Sequence, residues 1–194
     1  MSDNIYKVDF ADQNVSKEIT NFPNLDWVVA GIKILREHGI MGISIETVCK
    51  ELNRDESDFN KVFNGLESFA FAILDFWYEK ETLRYIDIMD DIDGSAEETL
   101  LTLVEILHGV DKKDELAIRN WALMCPNAHK ALARVDKTRL DFGTGLFKEM
   151  GFSETESTLR SRIFYTSTIG TEYTSISSSL EQKLATCKLL VNQD

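Results

Sequence analysis

Proline is nearly missing from this chain: Pro23 and Pro126 are the two in 194 residues. A chain so poor in proline leaves helices uninterrupted. Alternating apolar and polar runs bounded by turn signals are also scarce, which argues against a sheet. Cysteine is sparse and odd in number. Cys49, Cys125 and Cys187 lie far apart with no C-x-x-C pair, which excludes a disulfide framework and points to reduced, buried thiols. Positive charge is short as well, 21 basic residues against 33 acidic, for a net charge of −12. That balance opposes non-specific binding to nucleic acid or anionic membranes, while leaving room for a local basic patch. The longest apolar runs, such as 27–32 and 69–74, fall far short of the roughly 18 residues a membrane span needs. The acidic opening MSDNIYKVDF has no apolar signal core. The expectation is a soluble cytoplasmic protein.

Chemistry-bearing motifs are missing too. The chain has no G-x-S-x-G, no H-E-x-x-H and no G-x-x-x-x-G-K. No metal-ligand spacing stands out. The Asp141-Phe142-Gly143 triplet sits in a helical pattern without partner motifs. The reading is therefore no enzyme, no cofactor and no metal.

What the chain has is apolar residues spaced three and four apart over most of its length, with 43% hydrophobic residues to fill a core. The fold class is all-α, with about nine helices. Residues 1–23 read as an N-terminal arm. A first helix is expected over about 25–38, closed by Gly39 as its left-handed residue. A second begins at Ser44 as N-cap and runs to about Leu52. A third, short helix carries Phe59, Val62 and Phe63 inward, its first amides capped by the Asp55 carboxylate. A long fourth helix covers about 66–89. Ser95 caps a fifth, to about His108. A sixth runs over about 113–124 and a seventh over about 127–150. Ser153-Glu154-Thr155-Glu156 has capping-box form and starts an eighth. A ninth spans about 175–191.

Two short helices, a tight turn and then a long helix, carried by Ala30, Leu35, Gly39, Ser44-Ile45, Val48, Leu52, Phe59, Phe63 and Phe69, resemble the tetracycline-repressor (TetR) family of transcriptional regulators. A second similarity lies in Glu115-Leu116-Ala117-Ile118-Arg119-Asn120-Trp121-Ala122, then Val135-Asp136, Arg139-Leu140 and Gly151-Phe152. The resemblance implies a helix-turn-helix DNA-binding head over 24–70 and a ligand-binding and dimerisation domain over 71–194. It implies a one-component regulator, a repressor, that binds double-stranded DNA as a homodimer and answers a small hydrophobic effector. For DNA it singles out Ser44, Arg54, Ser57, Asn60, Lys61 and Ser68. An effector pocket between helices five and eight would draw on His108, Trp121, Met124, Cys125, Phe142, Leu146, Phe147, Phe164 and Tyr165. The dimer would form through the last two helices, as a four-helix bundle, using Ile163, Ile169, Thr171, Ile176, Leu180 and Leu184.

The head departs from the family pattern. Asn53 replaces the usual turn glycine, a mild change because asparagine tolerates the left-handed conformation. Arg54 stands where a small apolar residue is usual. Asn60 replaces a phosphate-contacting tyrosine, Val62 a frequent histidine, and Leu66 a phosphate-contacting lysine. Between Leu25 and Phe69 there are five bases (Lys33, Arg36, Lys50, Arg54, Lys61) against eight acids (Asp26, Glu37, Glu46, Glu51, Asp55, Glu56, Asp58, Glu67). Phosphate neutralisation supplies most sequence-independent DNA affinity. The alternative is therefore a ligand-binding or protein-interaction module of the same fold that has lost DNA binding.

Overall fold

The computed structural model describes residues 22–192, so the expected arm over 1–23 lies outside them except for its last two residues. Phe22 already belongs to the body, edge-on to Phe76 with ring centroids 5.1 Å apart.

The described residues contain no strand. Helix α1 (Leu25–His38) is closed by Gly39, whose positive φ of 66° is the conformation glycine adopts without strain. After a 3₁₀ turn (Ile40–Gly42), α2 (Ile45–Leu52) starts at Ser44, whose Oγ accepts from the Thr47 amide in a capping box. Asn53 ends α2 in the left-handed region at φ 50°, and α3 (Glu56–Val62) follows. Asp55 does sit at the N-cap of α3. Contrary to the sequence expectation, its carboxylate makes no cap bond; its backbone carbonyl accepts from the Asp58 amide at 2.9 Å instead.

The long fourth helix is one rod in three parts: α4 (Gly65–Tyr78), a π-helical turn (Glu79–Leu83) and α5 (Arg84–Asp90). Its interruption by a π turn carried no sequence signal. Then come α6 (Ala96–His108), α7 (Lys113–Ala122), α8 (Pro126–Glu149), α9 (Glu154–Gly170) and α10 (Leu180–Val191). Counting the interrupted rod once, the described residues make nine helical rods. Ser95 and Ser153 form capping boxes with Glu98 and Glu156, as their sequences announce. The last helix starts later than expected, because Ser179 takes the cap and the stretch before it holds no helical turn beyond Thr171–Tyr173.

Two buried cores hold these rods together. The first joins the head to the body: Trp27, Val28, Leu35, Val48, Phe59, Phe63, Phe69, Ile73 and Trp77 are continuous with Ile118, Trp121, Ala128 and Val135. Phe59 sits edge-on to Trp27 (5.6 Å) and Phe69 (5.4 Å), a geometry that adds to area burial. Gly31 lets α1 and α4 meet: a Cβ there would lie 2.6 Å from Ile73 Cδ1 and 2.7 Å from Phe69 Cζ. The second core packs Leu100 and Val104 of α6 against Leu146 and Phe147 of α8 and Cys187 of α10.

Candidate functional site

Two regions carry the chemistry: the outer face of the head, and a cavity between the two cores.

In the head, α3 turns Phe59 and Phe63 inward, so Ser57, Asn60 and Lys61 face outward and are exposed. Arg54, in the turn before α3, is exposed as well, with its guanidinium 5.1 Å from the Trp27 ring. Ser44 is bound up in capping α2, and Ser68 Oγ donates to the Gly65 carbonyl at 3.0 Å. The bases are largely committed to acids. Arg54 pairs with Asp26 (2.5 Å), Lys61 with Asp58 (2.7 Å), Lys33 with Glu51 (2.5 Å) and Arg36 with Asp114 (3.5 Å). The Lys61 contact holds the Asp58 carboxyl below the usual carboxylate range. Apart from Asp114, which is largely buried, these partners are exposed to solvent, where ion pairs are weak, so an incoming phosphate can compete for the cation.

Between the cores lies a cavity of about 80 Å³, bordered by the π turn, α5, α6, α7, α8 and α9. A second, of about 90 Å³, adjoins it between α6, α9 and α10. A buried water needs on the order of 10–15 Å³ on this measure, so together they have room for a small organic molecule. The wall of the first is mostly apolar: Ile86, Leu100, Leu103, Leu107, Phe142, Phe164 and Ile169, with Tyr85, Tyr165 and Tyr173.

One side of this cavity is a buried network of ions. Arg139 donates to both carboxylate oxygens of Glu115 (2.9 and 3.0 Å), to Thr82 Oγ1 (3.0 Å) and to the Glu81 carbonyl (2.9 Å). Arg119 donates to Glu115 (2.7 Å), Asp136 (2.7 Å) and the Tyr165 hydroxyl (2.7 Å). Tyr165 in turn donates to Asp136 at 2.6 Å. Two guanidiniums face two carboxylates, so the network is neutral, and each buried charge is paired, as burial demands. Burial would push the Glu115 carboxyl up, yet Arg139 and Arg119 outweigh it and hold it below the usual carboxylate range. Burial pushes the Tyr165 hydroxyl up to about 12. The network ties α7, α8 and α9 to the π turn. A π turn bonds each amide one residue further back than an α-helix does. Here the Glu81 carbonyl in that turn takes its bond from Arg139.

Of the nine residues expected for the pocket, the structure brings Phe142, Phe164 and Tyr165 onto the first cavity wall, and His108 onto the second. Trp121 is buried in the first core, because α7 also packs against the head. Leu146 and Phe147 fill the second core. Met124 is 72% exposed, and Cys125 half-buried, at the corner between α7 and α8. Sequence reasoning missed the apolar wall residues Ile86, Leu100, Leu103 and Leu107, and among polar ones Thr82, Lys112, Glu115 and Arg139. Two of them stand in the very motif quoted for the regulatory half. Their type, charged groups at helical spacing among apolar neighbours, was the available signal.

The residues expected at a dimer face also divide. Ile163 and Ile176 are exposed. Ile169 and Thr171 line the cavities. Leu180 and Leu184 pack onto the second core with Cys187, because these positions form the face of α10 turned to α6. The apolar residues that α9 and α10 leave outward are Leu159, Ile163 and Leu189. Among the described residues no group of three His, Cys, Asp or Glu is placed to hold a metal, and no helix is long and apolar enough to cross a membrane.

No protein-family model and no curated protein matches the chain in sequence. Solved structures match its shape. A transcriptional regulator from Pseudomonas aeruginosa PAO1 is 13% identical with a TM-score of 0.72, over 92% of this chain and 94% of that one. A TetR transcription regulator from Haloarcula marismortui ATCC 43049 is 16% identical, TM-score 0.66, over 86% and 94%. The multidrug binding protein EbrR, complexed with imidazole, is 15% identical, TM-score 0.59, over 87% and 94%. At such identities the likeness is one of fold.

Proposed function

We propose that this chain, which has the fold of TetR-type regulators, is itself a one-component transcriptional regulator, a repressor. It acts in the cytoplasm as a homodimer, with 24–70 as the DNA-binding head and the cavity between the cores as its effector site. The observation that carries the reading is mechanical. The head and the cavity share one rod, α4–α5, and its π turn is held by Arg139 from the cavity wall. An occupant that shifts Arg139 shifts the rod and with it the head. A few kcal/mol of differential binding between two head spacings moves such an equilibrium almost completely. That EbrR is a multidrug binding protein supports a small, largely apolar effector.

On DNA, Ser44, Arg54, Ser57, Asn60, Lys61 and Ser68 are the contact residues. The test is salt-dependent binding to the DNA upstream of the reading frame. A reader binds at low salt and weakens steeply as salt rises, each neutralised phosphate adding about −0.9 to the log–log slope. Arg54→Ala and Lys61→Ala lower the affinity and flatten the slope. Asp58→Asn, which frees Lys61 from its ion pair, tightens binding.

One observation favours a second reading. With Arg54, Lys61, Lys33 and Arg36 all paired to acids, the head offers little uncompensated positive charge. A ligand-binding or protein-interaction module that has given up DNA predicts no binding at any salt, and no gain from Asp58→Asn.

A further inference from the structure

The two cavities meet at Leu107, Lys112, Phe164, Thr168 and Glu172, which border both. The charged side chains around them are of two kinds. Glu115 and Arg139 bind each other, and Glu81 pairs with Lys80 at 2.9 Å. The side chains of Lys112, Lys183 and Glu172 make no hydrogen bond or ion pair with the described residues. Two cations thus stand against one anion among the uncommitted groups, in a chain that is otherwise acidic. Of the two cations, only Lys112 lies at the junction, bordering both cavities. Loss of water pushes its ammonium down, and the more distant Glu81, Glu115 and Glu172 do not make up the difference.

The fold gains nothing from a lysine here. Lys112 occupies the N-cap of α7, where it offers the first amides no side-chain acceptor. A cation there also faces the positive end of its own helix. A half-buried, unpaired ammonium is costly, and the cost is removed when an anion arrives. The surrounding wall fixes what the rest of that anion must be. Leu100, Leu103, Phe142 and Phe164 offer apolar area. The Tyr85 and Tyr173 hydroxyls, free of hydrogen bonds to the described residues, are neutral donors on the same wall. A single ammonium suits one negative charge. Glu172 at the same junction opposes a second.

We propose that the joined cavity binds an apolar monocarboxylate, its tail among Leu100, Leu103, Phe142 and Phe164 and its carboxylate on Lys112 Nζ. This rests on the cavity being the effector site and names the chemical class it takes.

The test is calorimetric titration of the full chain with three probes of equal size: 4-phenylbutyrate, 4-phenylbutanol and 4-phenylbutylamine. The carboxylate binds about tenfold tighter than the alcohol, the gain expected of a charge-assisted hydrogen bond made in a dry site. Lys112→Met removes that tenfold advantage, weakening the acid far more than the alcohol. Lys112→Arg restores most of it, which separates loss of charge from loss of folding. Equal affinities for acid and alcohol, or an advantage that survives Lys112→Met, overturn the carboxylate anchor while the cavity stands as a binding site. A preference for the amine overturns it in favour of Glu172. Binding of none of the three overturns the anchor and the effector reading together.

Discussion

Glu115 shows how much a single residue decides. It is 5% exposed and receives three bonds from two arginines. Removing one partner of a buried ionic network leaves the others uncompensated, which costs about 3–5 kcal/mol. Urea unfolding of Glu115→Ala is expected to show a loss of that order; a loss below about 1 kcal/mol would mean water reaches the network freely. The pH dependence has a definite sign. The Glu115 carboxyl titrates lower folded than its ordinary 4.5. Its contribution is therefore complete above that value and is lost as pH falls through the folded one. Glu115→Gln, with no charge to protonate, should show a flatter acid limb than the native chain. Identical limbs would place the acid sensitivity elsewhere. Lys112 gives the same sign in a more alkaline window, but there the fold disfavours the charged form instead of favouring it. Its folded value lies below 10.5, so protonation is disfavoured in the fold, and stability rises with pH between the folded and unfolded values. Lys112→Met should abolish that rise and raise the melting temperature at neutral pH.

At the scale of elements, the sequence was most legible where a cap or a stripe is local. Ser44, Ser95 and Ser153 start helices where their side chains said they would. Asn53 bends the turn as only a few residue types can. The π turn was not legible, because the donor to its Glu81 carbonyl, Arg139, lies 58 residues away. Arg139→Met should therefore loosen this turn most, on top of the global stability lost when Glu115 is left with Arg119 alone. Hydrogen exchange at 79–83 is expected to quicken about tenfold, while the α2 and α3 amides keep their protection. Uniform acceleration would show a merely structural role, and no change would detach Arg139 from the rod. The close crossing of α1 and α4 depends on a missing side chain. Gly31→Ala should cost about 1–3 kcal/mol, because its Cβ would overlap two packed side chains. Thermal unfolding at or above the native temperature would mean the helices separate cheaply.

At the scale of the whole molecule, the face to watch is the outward side of the last two helices. Leu159 and Ile163 stand one turn apart on α9, each about half exposed, and Leu189 on α10 is 74% exposed. In the proposed homodimer, these residues would be covered by the partner. Light scattering is expected to give twice the chain mass for the native protein and the single mass for Ile163→Glu, with helicity retained. A native protein that is monomeric at tens of micromolar would sink the dimer, and with it the paired heads that a repressor needs.

The sequence by itself determined the class and order of the helices, the serine caps, the inward face of α3 and the acidity of the head, because periodicity, capping and charge are set by near neighbours along the chain. It could say that Phe142, Phe164 and Tyr165 were apolar bodies fit for a pocket wall. Only the tertiary structure decided that Trp121, Leu146 and Phe147 went to the cores instead, that Leu180 and Leu184 turned inward, that most of the head's bases are paired with acids, and that Lys112 stands unpaired between two cavities. Those outcomes depend on which surfaces meet, and residues far apart in sequence come together there.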